Sequence, residues 1–278
     1  MAIGADWNDG AASSAGHVRI YKNIGGTWTQ LGSDIDGAGW SSYFGHDLAL
    51  SSDGSIVAIG GWGNDSNSLS SNGYAQVYEY DNTSDSWTQV GSTIYGTWAT
   101  RSGTSLSLNS DGTILAIGAP YYDPPGESSF SNSGQIRVFE RDDANATLGW
   151  TQIGSDIYGE EYNDLFGRSV ELNSDGSILA AGGYDNTYQV GSGVVRVYEN
   201  IGGTWTKIGI DIFGEASGDE SGAETSSIAL NSDGNIMVIG ANSQSNSSGY
   251  TRVFEKLPNG GVFTMPAQNV SITANISI

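Results

Sequence analysis

One supersecondary unit is written into this chain several times, and a chain of near copies folds by packing copy against copy. The unit is clearest over 105–157, which reads SLSLNSDGTILAIGAP, a loop, SGQIRVFE, a second loop and WTQIGSDI. Its Asp-Gly pair recurs at Asp53, Asp111, Asp175 and Asp233, and its tryptophan at Trp28, Trp87, Trp150 and Trp205, a period of about 55 to 64 residues. The run before the tryptophan appears as VRIY at 18–21, QVYEY at 76–80, IRVFE at 136–140, VRVYE at 195–199 and TRVFE at 251–255. Those copies set the expected number of units at five.

Each run has strand chemistry. Leucines alternate with serines over 105–109, and Ile136 and Val138 alternate with Arg137 and Phe139, the period of two that sends successive side chains to opposite faces. The stretch 114–118 is nearly all apolar, as in a strand buried on both faces. Ser-Asp-Gly between the first two runs is a tight-hairpin signal. The unit therefore reads as a four-stranded antiparallel meander, too thin to bury both faces alone, and such units wheel around an axis. The expectation is an all-β single domain: a five-bladed β-propeller of four-stranded antiparallel blades, spanning 1–36 plus 267–278, 37–96, 97–158, 159–213 and 214–266. Residues 1–5 (MAIGA) match the second strand of other units, so the first blade lacks its first strand. SITAN at 271–275 resembles SIALN at 227–231 and is expected to supply it, closing the ring. The rival reading takes this tail, FTMP followed by VSITANI, as the start of a further domain.

Charge narrows the function classes. With 10 Lys plus Arg against 31 Asp plus Glu, the net charge of −21 repels phosphate backbones and anionic lipid, which argues against nucleic acid as a partner and against membrane insertion. No cysteine is present, so disulfides, thiol catalysis and thiolate metal sites are excluded. No apolar run approaches the length of a membrane span. The first residues read as strand and not as a secretion leader, which leaves a leader already removed or a longer parent chain.

The block FGRSVELNSDGSILAAGG at 166–183, with FGHDLALSSDGSIVAIGG at 44–61, resembles the FG-GAP repeats of integrin α-chain heads and of many bacterial, algal and marine surface proteins. The cadence runs through nearly the whole chain. The resemblance implies a β-propeller on an extracellular or cell-surface protein, used for adhesion or ligand recognition and not for catalysis. Calcium-binding members carry an aspartate-rich loop between the first two strands, whereas each loop here holds one carboxylate, too few for a hard cation. Metal-free turns are expected, no cofactor is assigned, and calcium is not favoured.

Sorting the loops by end of the ring puts the aromatic residues outside the repeat on one face. Trp7 and Trp62 fall in second-to-third-strand loops and Trp40 and Trp98 in blade connections; Tyr121, Tyr122 and Tyr184 occupy loops equivalent to that of Trp7, and Tyr162 a connection. Many carboxylates are there too, among them Asp6, Asp65, Asp123 and Asp185. Aromatic rings beside carboxylates suit stacking on sugars or capture of cationic groups. The main expectation is a non-catalytic module, not an enzyme, that binds a glycan or protein ligand through these residues. The first alternative is a structural subunit that self-associates in a surface fibre, sheath or array, and the second a glycan-active hydrolase. The repeated tryptophans are expected to fill space between blades, and Arg19, Arg137, Arg196 and Arg252 to pair with acids or carbonyls. His17 and His46 lack a serine elbow or a second ligand at metal spacing, so neither a triad nor a zinc site is expected. The adjacent pairs Glu160-Glu161, Asp142-Asp143 and Asp219-Glu220 are the carboxylates a glycosidase would draw on.

Overall fold

The computed structural model describes residues 1–63, 71–124, 132–142, 149–185, 191–242, 249–257 and 263–265. The tail expected to close the ring, 267–278, lies outside them, as do Asp65 and Asp143. The described residues form five antiparallel sheets in chain order, and no helix. The first contains Ala2–Ala5, His17–Ile24, Thr27–Gln30 and Ile35–Asp36; the second Phe44–Leu50, Ile56–Gly61, Tyr74–Asp81, Ser86–Gln89 and Ile94–Tyr95. The third contains Ser105–Leu108, Ile114–Ala119, Gln135–Arg141, Trp150–Gln152 and Ile157–Tyr158. The fourth contains Ser169–Leu172, Ile178–Gly183, Val194–Ile201 and Thr204–Phe213, and the fifth Ile228–Leu230, Ile236–Ala241, Tyr250–Lys256 and Phe263–Thr264. Ala2–Ala5 pairs with His17–Ile24 as Ile56–Gly61 pairs with Tyr74–Asp81, so the first sheet begins at the second strand of the meander.

In the first three sheets the fourth run differs from the single strand expected of it, whereas in the fourth sheet it stays one strand, Thr204–Phe213, with a register shift. In the second sheet Ser86–Gln89 pairs with one end of Tyr74–Asp81 and Ile94–Tyr95 with the other. Gly91, with φ at 69°, turns the chain between the two pieces, and Gly32 and Gly154 stand at the equivalent break in the first and third sheets. A positive φ at that point takes the backbone off the ladder, which is why glycine follows each W-T-Q-x.

Hydrophobic residues are buried in the seams between sheets. In the second strand of the second sheet, Ile56 and Ala58 pack into the seam with the third sheet, whereas Val57 and Ile59 pack into the seam with the first. This double burial is what makes such strands apolar at consecutive positions. The repeated tryptophans fill these seams at three places. Trp87 donates its Nε1–H to the Leu31 carbonyl of the first sheet at 3.0 Å, Trp150 donates to Val90 of the second at 3.2 Å, and Trp205 packs in the seam between the third and fourth. Trp28, which has no earlier sheet to lean on among the described residues, is 52% exposed, contrary to the expectation for all four.

Glycine lets the sheets approach along each seam. A Cβ placed on Gly118 would stand 2.9 Å from the Gly167 carbonyl carbon of the next sheet; Gly4 faces Gly45, Gly60 faces Gly103 and Gly182 faces Gly222 in the same way. At the opposite end the hairpin turns are tied sheet to sheet. The Ser52 N–H donates to the Ser110 carbonyl at 2.8 Å, Ser110 to Ser174 at 2.9 Å, and Ser174 to Ser232 at 3.1 Å. Inside the turns, Asp53 accepts from the backbone and hydroxyl of Ser55, Asp111 from those of Thr113 and Asp175 from the backbone of Ser177, the local use expected from sequence. These donors hold all three carboxyls below the usual aspartate range.

The first strands of the second to fifth sheets line one axial channel, where Leu50, Leu108, Leu172 and Leu230 border a cavity of about 230 Å³. Glu171 stands in this channel, and burial pushes its carboxyl up to about 7.

Candidate active site

At the end of the channel opposite the serine-tied turns, loops of all five sheets converge on a cavity of about 330 Å³. Asp6 and Trp7 come from the first sheet, His46 and Trp62 from the second, and Thr104 and Tyr121 from the third; Arg168 and Glu224 precede the fourth and fifth. His46 Nδ1 lies 3.0 Å from Asp6 Oδ2. Arg168 meets Glu224 at 3.3 Å. The aromatic wall is continuous: Trp7 meets Tyr43 edge-on at 4.9 Å between centroids, and Tyr43 stacks on Trp62 at 4.0 Å with their planes 4° apart. The Arg101 guanidinium sits between two rings, 4.8 Å from that of Trp62 and 4.4 Å from that of Tyr121.

A second cavity, of about 400 Å³, adjoins the first and shares Arg101 and Tyr121 with it. Trp98, Tyr122 and Asp123 complete most of its wall, and Tyr122 stacks on Tyr158 at 5.6 Å. Of the residues expected to bind ligand, Trp7, Trp62 and Tyr121 thus meet at the mouth, and Trp98, Tyr121 and Tyr122 at its neighbour. Trp40 and Tyr162 are 76% and 63% exposed and line neither. Tyr184 donates to Glu220 at 3.2 Å. Asp185 is 2% exposed and accepts from Ser192 Oγ at 2.9 Å, which places it inside its own loop and away from either cavity.

Sequence reasoning set His46 aside for want of a serine elbow or a second ligand at metal spacing; the carboxylate that meets it is forty positions away. A signal was present. The residue after the glycine of the Phe-Gly block varies while its surroundings repeat, and its occupants His46, Thr104 and Arg168 all line the mouth. The adjacent carboxylate pairs do other work. Glu160 holds Lys207 at 2.9 Å, Asp219 accepts from Tyr250 at 2.7 Å, and Glu220 takes the Tyr184 hydroxyl. The recurrent arginines pair as expected: Arg19 with Asp34, Arg196 with Asp164 and Asp211, Arg137 with the Tyr95 carbonyl and Arg252 with that of Phe213. Burial drives the Asp164 carboxyl up, against the lowering effect of Arg196. Among the described residues no group of three or more histidines and carboxylates is placed to hold a metal ion, and no helix is long and apolar enough to cross a membrane.

No protein-family model matches the chain. No curated protein matches it either. Among solved structures it is similar to a hypothetical selenium-binding protein from Sulfolobus tokodaii, with a TM-score of 0.59, 12% identity and coverage of 95% of this chain and 62% of that one. The β-propeller domain of the Trilobed protease from Pyrococcus furiosus matches with a TM-score of 0.42 and 10% identity, over 89% of this chain and 64% of that one. A periplasmic gluconolactonase from Pseudomonas aeruginosa matches with a TM-score of 0.41 and 15% identity, over 89% and 77%. The chain thus spans less than two thirds of the length of the first two. These likenesses are of fold alone, and the chain's own architecture is all-β, five antiparallel sheets of four or five strands in chain order among the described residues.

Two expectations are corrected. The chain is not to be read as a non-catalytic adhesion module, nor as a non-enzyme. The solved structures it matches give no support to adhesion, and its own cavity holds a histidine–carboxylate pair that the sequence reading had dismissed.

Proposed function

We propose that the chain is a hydrolase that acts on a carbohydrate-derived ester or lactone at the axial mouth. The observation that carries this reading is the His46–Asp6 pair at 3.0 Å, set in a cavity that Arg168 also lines. With its Nδ1–H donated to Asp6, His46 keeps Nε2 unprotonated and able to accept a proton from water. The water oxygen bonds to the carbonyl carbon, and the displaced electron pair moves onto the carbonyl oxygen, where Arg168, braced by Glu224, supplies N–H donors. Collapse of this adduct breaks the acyl C–O bond, and the leaving oxygen takes the proton back from the His46 imidazolium. One water is consumed, and an ester gives an acid and an alcohol while a lactone opens to one hydroxy acid, with no covalent enzyme intermediate. The ring of Trp7, which lines the cavity and is 66% exposed, offers a face on which a sugar stacks. The test is turnover of aldonic-acid lactones and acetylated sugars, followed by His46→Ala. Removing a general base lowers kcat by about 10²- to 10⁴-fold. Absence of turnover by the native chain, or an unchanged kcat in a folded His46→Ala variant, would refute the assignment.

The same proposal includes a closed wheel, in which the five sheets are the blades of a five-bladed propeller and residues 267–278 supply the missing first strand of the first sheet. Four features of the described residues support it: the exposed edge at Ile3, the exposed Trp28, the absence of a facing glycine at Gly240 among them, and serine ties that run, among them, from Ser52 to Ser232. Each marks the same incomplete seam, and SITAN at 271–275 has the pattern of the strand that would fill it.

A further inference from the structure

Arg101 is bonded unlike any other arginine of the chain. Arg19, Arg137, Arg141, Arg168, Arg196 and Arg252 each donate to a carboxylate or a carbonyl. The Arg101 guanidinium has no hydrogen-bond acceptor among the described residues, yet it is held in place over the rings of Trp62 and Tyr121. Stacking engages the faces of a guanidinium and leaves its N–H edge unengaged. That edge belongs to a residue lining both cavities, in a protein whose net charge of −21 would otherwise repel an anion.

We infer that Arg101 is an anion clamp, and that the 400 Å³ cavity beside the mouth is a subsite for an acidic sugar residue, a uronate, carried by the substrate. A carboxylate presents two coplanar oxygens to the two parallel N–H groups of a guanidinium edge, the geometry a clamped arginine favours. The ring of that sugar has Trp98 and Tyr122 to lie against. Asp123, whose Oδ1 already accepts from the Asn132 N–H at 2.7 Å, lines the same cavity and accepts hydroxyl groups, not a second anion. This opposition of donor edge and acceptor orients the sugar, and Tyr121, common to both cavities, connects the subsite to the mouth. The inference rests on the mouth being a substrate site, and it specifies the substrate class as uronate-containing.

Binding is measured by calorimetry on the His46→Ala protein, so that turnover plays no part and the clamp is tested even where the hydrolase assignment fails. The probes are galacturonate and digalacturonate, with galactose and glucose 6-phosphate beside them. Uronates are expected to bind and galactose to bind at least about tenfold more weakly, the scale of one charge-assisted bidentate contact. Arg101→Lys, which keeps the charge and loses the planar fork, is expected to weaken uronate binding by about tenfold, and Arg101→Ala by more. Stronger binding of glucose 6-phosphate than of any uronate would overturn the carboxylate assignment. Equal binding of galactose and galacturonate, or uronate affinity unchanged in Arg101→Ala, would overturn the clamp itself. In a turning-over enzyme, Arg101→Lys should raise KM for a uronate ester with little change in kcat, a split that general loss of folding does not produce.

Discussion

Gly118→Ala tests the way the sheets of this protein meet. The new Cβ would stand 2.9 Å from the Gly167 carbonyl carbon, nearer still to its oxygen, where ordinary contact begins at 3.4 Å. The carbon alone requires a shift of about half an ångström between the sheets, and the nearer Gly167 oxygen and Ser105 hydroxyl require more. Neither side yields easily, because Gly118 is pinned in its own sheet between Ser105 and Ile136 and the obstacle is backbone. Overpacking of this kind costs about 1–3 kcal/mol, and a rigid neighbour puts it at the upper end. The lost entropy of the unfolded chain returns about 0.4–1 kcal/mol, leaving a net destabilisation of about 2 kcal/mol. Gly240 is the control, with both variants made in the chain lacking residues 266–278, since it sits at the same place in the fifth sheet and the nearest described atom to its Cβ is 3.6 Å away. Alanine there has only the entropic effect and should stabilise by about 0.4–1 kcal/mol. The variants thus differ by about 3 kcal/mol, or about 1 M in urea midpoint at a slope of about 3 kcal/mol/M. Equilibrium urea unfolding followed by tryptophan fluorescence reads this directly. Midpoints of Gly118→Ala and Gly240→Ala that coincide would refute the close-approach argument.

Glu171 makes stability depend on pH. Its carboxyl, raised to about 7 by burial from an ordinary value of 4.5, holds its proton more tightly folded than unfolded. Stability from this group is therefore full below about pH 4.5 and lost as pH rises through 7, by on the order of 3 kcal/mol. Glu171→Gln should flatten the fall in urea midpoint between pH 4.5 and 7.5; Asp47, also raised by burial, leaves a residual slope. A variant with the wild-type pH profile would remove Glu171 from the account. Deleting residues 266–278 tests ring closure: burying two of its isoleucines, Ile272 and Ile276, in a completing strand is worth about 3–5 kcal/mol, so the truncated chain should melt clearly lower. An unchanged melting temperature would exclude these residues from the wheel.

Much of the fold was legible because its signals are local. Alternation at Ile136 and Val138, the apolar run from Ile114 and the Asp-Gly turns each fix a strand or a hairpin from neighbouring residues. The candidate site was legible only in part, since it is made by contacts between units. Tyr43 stacks on Trp62, the Arg101 guanidinium lies between Trp62 and Tyr121, and His46 reaches Asp6 of another sheet. No periodicity within a unit encodes those meetings. Asp185 shows the reverse error: its composition and loop suggested an exposed ligand group, but Ser192, seven positions on, takes the carboxylate inward.

The hydrogen bonds that pass from Ser52 to Ser110, Ser174 and Ser232 use the same donor and acceptor atoms at every step. A unit gained by duplication or dropped by excision would therefore dock through chemistry its neighbours already possess. In the closed wheel proposed above, the limit on the tally is angular: the tryptophan-packed wedge between successive sheets sets how many fit. Such a chain could then change its number of units while leaving the ties between them untouched.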